Sequence, residues 1–317
     1  MYYNKTQKDR YLSTLSAQTA KDACKYIFNQ AFERENMLAL DLALWPRSEV
    51  IRFVEVLAGL DADSTKKRID RIMDYQYWSA STSSNYVQLE EETPAFLNGE
   101  ISVDEIDITD VIRENLYPSF SSVIQKVKMV LPDQPGYVIF PLIAFAWLNI
   151  PKKIMGQIPR DGVDFEQHTI VDEDGHILIH AIPAEIEQVL YSYITTKEGR
   201  KGNARVFPLE NGKFLRLMEP LGTKKIPKPF SPIDINGQFN YMQGCLQAAL
   251  CNGNMRFSCS NIQRSGQYAR LYELECDGVE LSDPANACLL RGAYGKENKI
   301  YDILAIYRQY KKAFNLT

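Results

Sequence analysis

The stretch "YVIFPLIAFAWLNI", Tyr137 to Ile150, limits what this chain can become more than any other part of it. Its fourteen residues reach about 21 Å as a helix, short of the roughly 30 Å hydrocarbon core of a bilayer. The run also ends in Pro-Lys-Lys. A segment apolar on every side and too short to span a membrane has to be wrapped by other protein, so it predicts a buried central helix of a globular domain. The wrapping is available, because 317 residues with 45% apolar content can fill two cores.

Periodicity predicts what surrounds that helix. Val123, Ile124, Val127, Val130 and Leu131 recur at helical spacing behind the cap candidates Ser121 and Ser122. Pro151 opens a short helix, where its missing N–H is no loss. "VDFEQHTIVDEDGHILIHAIP" alternates about the turn "DEDG" as a β-hairpin does. Ile186, Val189, Leu190 and Tyr193 mark a further helix. Upstream, helices are expected at about 16–32, 47–58 and 64–78. The last has Ile69, Ile72, Met73 and Tyr77 as its apolar stripe and Lys67, Arg68 and Arg71 on the opposite side. The fold class is therefore mainly α with a small β-sheet (α+β). "EEETPAFLNGEISVDEIDITD" has few apolar anchors and a Pro and a Gly to break regular structure. The expected organisation is a helical domain over 1–85, an acidic linker over 86–118 and a second domain over 119–317.

The net charge of -4 conceals an uneven distribution. Residues 1–120 carry 13 Lys/Arg against 20 Asp/Glu, and residues 121–317 carry 23 against 20. Lys197 to Lys228 holds nine bases (Lys197, Arg200, Lys201, Arg205, Lys213, Arg216, Lys224, Lys225, Lys228) and three acids. Such a run is most often only a solvated loop, and alone it does not establish a phosphate-binding surface. Cys24, Cys245, Cys251, Cys259, Cys276 and Cys288 form no C-x-x-C pair. With the polar N-terminus "MYYNKTQKDR" they are read as buried thiols of a cytoplasmic protein without a leader. His176 and His180 sit two strand periods apart, but no cysteine lies near them, so no metal site is expected. No cofactor is expected either, as "GRKGN" and "YGKENK" lack the spacing of a phosphate loop.

The order of elements resembles the tyrosine recombinase, or phage integrase, family. Residues 1–80 resemble its helical core-binding (SAM-like) domain, with "STKKRIDRIMDYQYW" similar to that domain's last helix. Residues 119–314 resemble its catalytic domain. Where the family has an apolar helix, G-L-R-x-x-E-x-x-x-L and a D-V-D-F strand, this chain has "WLNIPKKIMGQIPRDGVDFEQHTI". Where the family has H-x-L-R-R-[ST], it has "SNIQRSGQYARLYE". The resemblance implies chemistry in which a tyrosine hydroxyl attacks a DNA phosphodiester. Two arginines clamp the phosphate oxygens, a hairpin lysine protonates the leaving oxygen and histidines assist.

Carried over by position, the first arginine falls on Asn149, the histidine on Ser260 and the second arginine on Gln263. No register shift restores the set. Arg160 is the only arginine between Tyr137 and Phe165, Asp161 to Thr196 holds no Lys or Arg, and no histidine follows His180. The hairpin turn is Asp172, Glu173, Asp174, which repels phosphate. Arg264 replaces Gln263 only by a shift of about 100° around a helix. Losing one preorganised donor already costs about 2.7–4 kcal/mol of transition-state stabilisation. Tyr301, Tyr307 and Tyr310 stand near the nucleophile position, yet Ile303, Tyr307, Tyr310 and Phe314 share one face, as in a docked amphipathic helix.

The expectation is a recombinase scaffold without catalysis that retains its grip on double-stranded DNA. It is similar in kind to recombinase-like prophage repressors of the SPβ type, which implies a sequence-specific transcriptional repressor in a bacterial host, associated with the nucleoid. Expected DNA contacts are Lys67, Arg68 and Arg71 from the first domain, and Lys152, Lys153, Arg160, Lys197, Arg200, Lys201, Arg205, Lys224, Lys225, Lys228, Arg256 and Arg264 from the second. The C-terminal helix is expected to serve self-association or a partner protein, and the rival readings are a divergent active recombinase and a noncatalytic partner that assembles with an active one through that helix.

Overall fold

A computed structural model describes residues 2–60, 62–82, 99–131, 136–196, 199–201, 204–206, 212–215, 230–251, 255–283, 286 and 300–316, with backbone alone at 199–201, 204–206 and 300–302. The chain forms two compact units, Met1–Ile112 with Asn298–Thr317, and Arg113–Glu297.

The first unit contains α1 (Lys5–Thr14), α2 (Gln18–Leu38), α3 (Arg47–Leu57) and α4 (Ala62–Thr82). Its core is aromatic, with the Phe28 and Tyr75 rings 4.9 Å apart and the Tyr11 and Tyr75 rings 5.1 Å apart. α1 was not expected, because its sequence is polar. What anchors it is Tyr11 and Leu12 together with Lys8, which is fully buried against Glu35 of α2. Glu35 Oε1 also accepts the Leu42 N–H at 2.8 Å, and the Lys8 ammonium lies 5.1 Å from the centre of the Phe28 ring. The buried row of α4 is Thr65, Ile69, Ile72, Tyr75, Gln76 and Ser79. Tyr77, expected in the apolar stripe, is instead 66% exposed, because the row drifts back to 75 and 76 at helical period.

The expected 86–118 linker does not hold as a whole. Ile101, Ile106, Ile108 and Ile112 are buried, and a short turn at Val103–Glu105 is closed by a capping box from Ser102. These isoleucines alternate with acids, which masked their anchoring role in the sequence. The last helix, which we call α12 (Ile300–Phe314), belongs to this unit and not to the second. It packs on α4 and is tied to the 104–107 segment by Arg308–Asp104 and Lys312–Asp107 ion pairs and by Gln309 donating to the Ile106 carbonyl.

The second unit opens with α6 (Phe120–Lys128), after α5 (Thr109–Asn115), in which the unit boundary falls. The 137–150 run becomes α7 (Ile139–Trp147), every residue of which is buried, as its composition required. Around it stand α8 (Lys152–Met155), α9 (Ala184–Thr195), α10 (Pro232–Leu250) and α11 (Cys259–Cys276). The hairpin forms as β2 (Thr169–Val171) and β3 (Ile177–Ile179), and β1 (Val163–Asp164) adds an antiparallel third strand in order β1-β2-β3. A separate pair, β4 (Gly199–Lys201) and β5 (Ala204–Val206), is antiparallel. The cysteines divide: Cys24 and Cys259 are buried, Cys245 is half-buried, and Cys251 and Cys276 are exposed, against the expectation of a uniformly buried set. Cys251 stands outside because it ends α10 in the left-handed region, at φ 50°. Cys288 lies outside the described residues.

Candidate nucleic-acid interface

The positions that matter in the second unit meet where α7 ends on α11. Asn149 follows α7 at φ 62°, donating its N–H to Ala146 O, while Ile150 N–H reaches Phe145 O, both at 2.9 Å. This is a Schellman closure, whose left-handed residue is usually Gly or Asn. α11 crosses this helix end at very close range. A Cβ at Gly266 would stand 2.0 Å from the Trp147 carbonyl oxygen, so only glycine fits there.

Side chains of α11 then satisfy the end of α7. Arg270 donates to Trp147 O at 2.8 Å, Gln263 to Ile150 O at 3.0 Å, and Gln267 to Asn149 Oδ1 at 3.0 Å. The two neutral residues at the expected arginine positions are therefore brought together, and both are engaged within the protein. Ser260 is exposed on the first turn of α11. Gly266, Gln267 and Arg270 were missed in the sequence. Their signal was a glycine in a helix interior, which implies a close backbone approach.

Cations gather at the start of α11. Its N-cap is Ser258, whose hydroxyl accepts the Asn261 N–H, and the first-turn N–H groups of a helix have no intrahelical partner. Arg256 is exposed just before the cap, and Arg264 is half-exposed one turn further on. Lys152 lies near enough for its charge to act on the buried Cys259 thiol, which burial nonetheless pushes up to about 12. Lys152 also donates to Asn236 Oδ1 at 3.1 Å, and Lys153 is exposed. Arg160 is exposed, in a segment held by its N–H to Gly212 O.

The hairpin tip carries the acids that the sequence placed there. Asp172 Oδ1 accepts the N–H groups of Asp174 and His176, which holds its carboxyl below the usual range, and Glu173 pairs with Lys213 at 2.6 Å. Ligand atoms of Asp172, Asp174 and His176 lie within 4.8 Å of one another without His180.

In the first unit the expected basic face of α4 is mixed. Lys67 pairs with Asp63 at 2.5 Å, Arg68 turns inward to donate to Leu57 O, and Arg71 is half-buried and acts on Asp74. Tyr307 and Tyr310 are 2% and 0% exposed on α12. Lys197, Lys224, Lys225 and Lys228 lie outside the described residues, as do the side chains of Arg200, Lys201 and Arg205.

Residues 2–81 match the family model described as "MrpR, N-terminal core-binding domain". Two solved structures align along nearly the whole chain. One is an integrase from mycobacterium phage Brujita, 10% identical over 96% of each chain with a TM-score of 0.33. The other is the Tn1549 transposon integrase in complex with a circular intermediate DNA, 12% identical over 97% of this chain and 95% of that one, with a TM-score of 0.36. No curated protein matches the chain. The match at 2–81 supports the resemblance to the integrase-like family. The mostly helical chain with its three-stranded antiparallel sheet has the α+β fold expected from the sequence. Among the described residues no helix is long and apolar enough to cross a membrane.

Proposed function

We propose that this protein binds double-stranded DNA sequence-specifically, using an integrase-like scaffold that does not cleave strands, and acts as a transcriptional repressor of a phage or mobile element in the control of lysogeny. The observation that carries the noncatalytic part is the wiring at the end of α7. Where an oxyanion clamp needs two charged donors aimed at phosphate, Asn149 and Gln263 are neutral and bonded to α11 and α7. Burial of Tyr307 and Tyr310 supports the same reading. DNA binding is supported by the core-binding family match and by the exposed cations about the start of α11, where N–H groups and the helix dipole favour phosphate.

The test pairs the full-length protein with duplex fragments of its own genetic element. A discrete footprint whose affinity falls with salt, without a covalent adduct on a nicked trapping substrate, is the expected outcome. An adduct abolished by Tyr307→Phe or Tyr310→Phe identifies a divergent recombinase instead. A footprint that appears only after an active recombinase is added identifies an accessory partner.

A further inference from the structure

A cavity of about 410 Å³ opens between α6, the start of α7 and α9 in the second unit. That volume is typical of sites for small ligands, which combine an apolar lining with a few fixed polar groups. Here the apolar part is Phe120, Ile124, Phe140 and Val189, and the charged groups are Lys128 and Glu185. Both line the same cavity, one a cation and the other a carboxyl group. Glu185 is held above the usual carboxylate range, first by burial and then by the neighbouring Glu273. A cation at Glu185 offsets both effects, and an anion complements Lys128.

We propose that this cavity binds a small zwitterion with an apolar body, its ammonium at Glu185 and its carboxylate at Lys128. A free apolar amino acid and a short apolar peptide share that chemistry. The inference is independent of DNA binding, since none of the residues assigned to DNA lines the cavity.

The test is calorimetric titration of the full-length protein with L-phenylalanine and the dipeptide Phe-Phe, alongside N-acetyl-phenylalanine and phenylalaninamide, each of which lacks one charge. Saturable binding of a zwitterion is expected, at least tenfold tighter than that of either blocked form. Tighter binding of phenylalanine identifies the free amino acid as the source, and tighter binding of the dipeptide identifies a peptide. Lys128→Gln removes the preference over the amide, and Glu185→Gln the preference over the acetylated form. Neither residue belongs to the hydrophobic core, and circular dichroism checks that the variants fold. The proposal is overturned if neither zwitterion binds saturably, if blocked forms bind equally well, or if the two variants discriminate as the parent does.

Discussion

Gly266→Ala tests whether contact between α11 and the end of α7 holds the second unit together. The added methyl would lie 2.0 Å from Trp147 O, 2.8 Å from its carbonyl carbon and 3.0 Å from its Cα, all backbone atoms. A comfortable C···O approach is about 3.3 Å or more, so the helices must part by roughly 1.3 Å. Overpacking of that kind costs about 1–3 kcal/mol. The separation also stretches the bonds from Gln263, Gln267 and Arg270, each worth about 1 kcal/mol net. Better helix propensity returns about 1 kcal/mol. The expected loss is therefore about 2–4 kcal/mol. Gly244→Ala in α10, where nothing lies within 4 Å of the new Cβ, should show the propensity gain alone, about 0.5–1 kcal/mol. Urea unfolding gives both values, and hydrogen exchange over 139–150 and 259–276 locates the effect. A Gly266→Ala protein within about 0.5 kcal/mol of the parent, beside a Gly244→Ala protein that behaves as stated, refutes the close-crossing argument.

Three other outcomes follow from the same structure. Lys8→Met should cost about 3–5 kcal/mol by stranding Glu35 in the first unit, and adding Glu35→Gln, which still accepts the Leu42 N–H, should recover more than half, read by denaturant titration. Asp107 and Glu105 are both held down to about 2, mainly by Lys312 and Arg47 respectively. Their folded values lie below the unfolded ones, so their contribution is complete above about pH 4.5 and is lost as pH falls toward 2. Lys312→Ala should thus cost under about 1 kcal/mol at pH 7, as the pair is exposed, and progressively less as pH falls through about 2. Arg256→Ala and Arg264→Ala should weaken DNA binding about equally for all sequences and lower the logarithmic salt slope by about one each; unchanged slopes would remove α11 from the interface.

The fold was legible where burial is one-sided and periodic. α7 and the 169–179 hairpin followed directly from an apolar run and from alternation about a tight turn. α1 was not, since a helix with three lysines and arginines within Lys5–Arg10 gives no apolar stripe. Its anchor is a buried ion pair whose partner lies 27 residues away, and no local pattern encodes such a pairing. The acidic 99–112 segment failed for the converse reason. Ile101, Ile106 and Ile108 are spaced too irregularly to announce a face, and only the unit they join makes them a core.

At the site, the sequence showed which residues are neutral and concealed what they bond to. A neutral Asn149 is visible in any reading of the chain, but its left-handed backbone becomes visible only with the Schellman closure. That geometry gives asparagine a structural reason to stand there, since bulkier side chains pay for αL. Gln263 and Gln267 likewise have structural partners, the Ile150 carbonyl and the Asn149 side-chain oxygen, while Arg270 takes the Trp147 carbonyl that the end of α7 leaves open. The consequence is that side chains at 149 and 267 cannot be changed independently: an arginine at 149 would have to hold the left-handed backbone at φ 62° and would leave the Gln267 amide without its Asn149 Oδ1 acceptor.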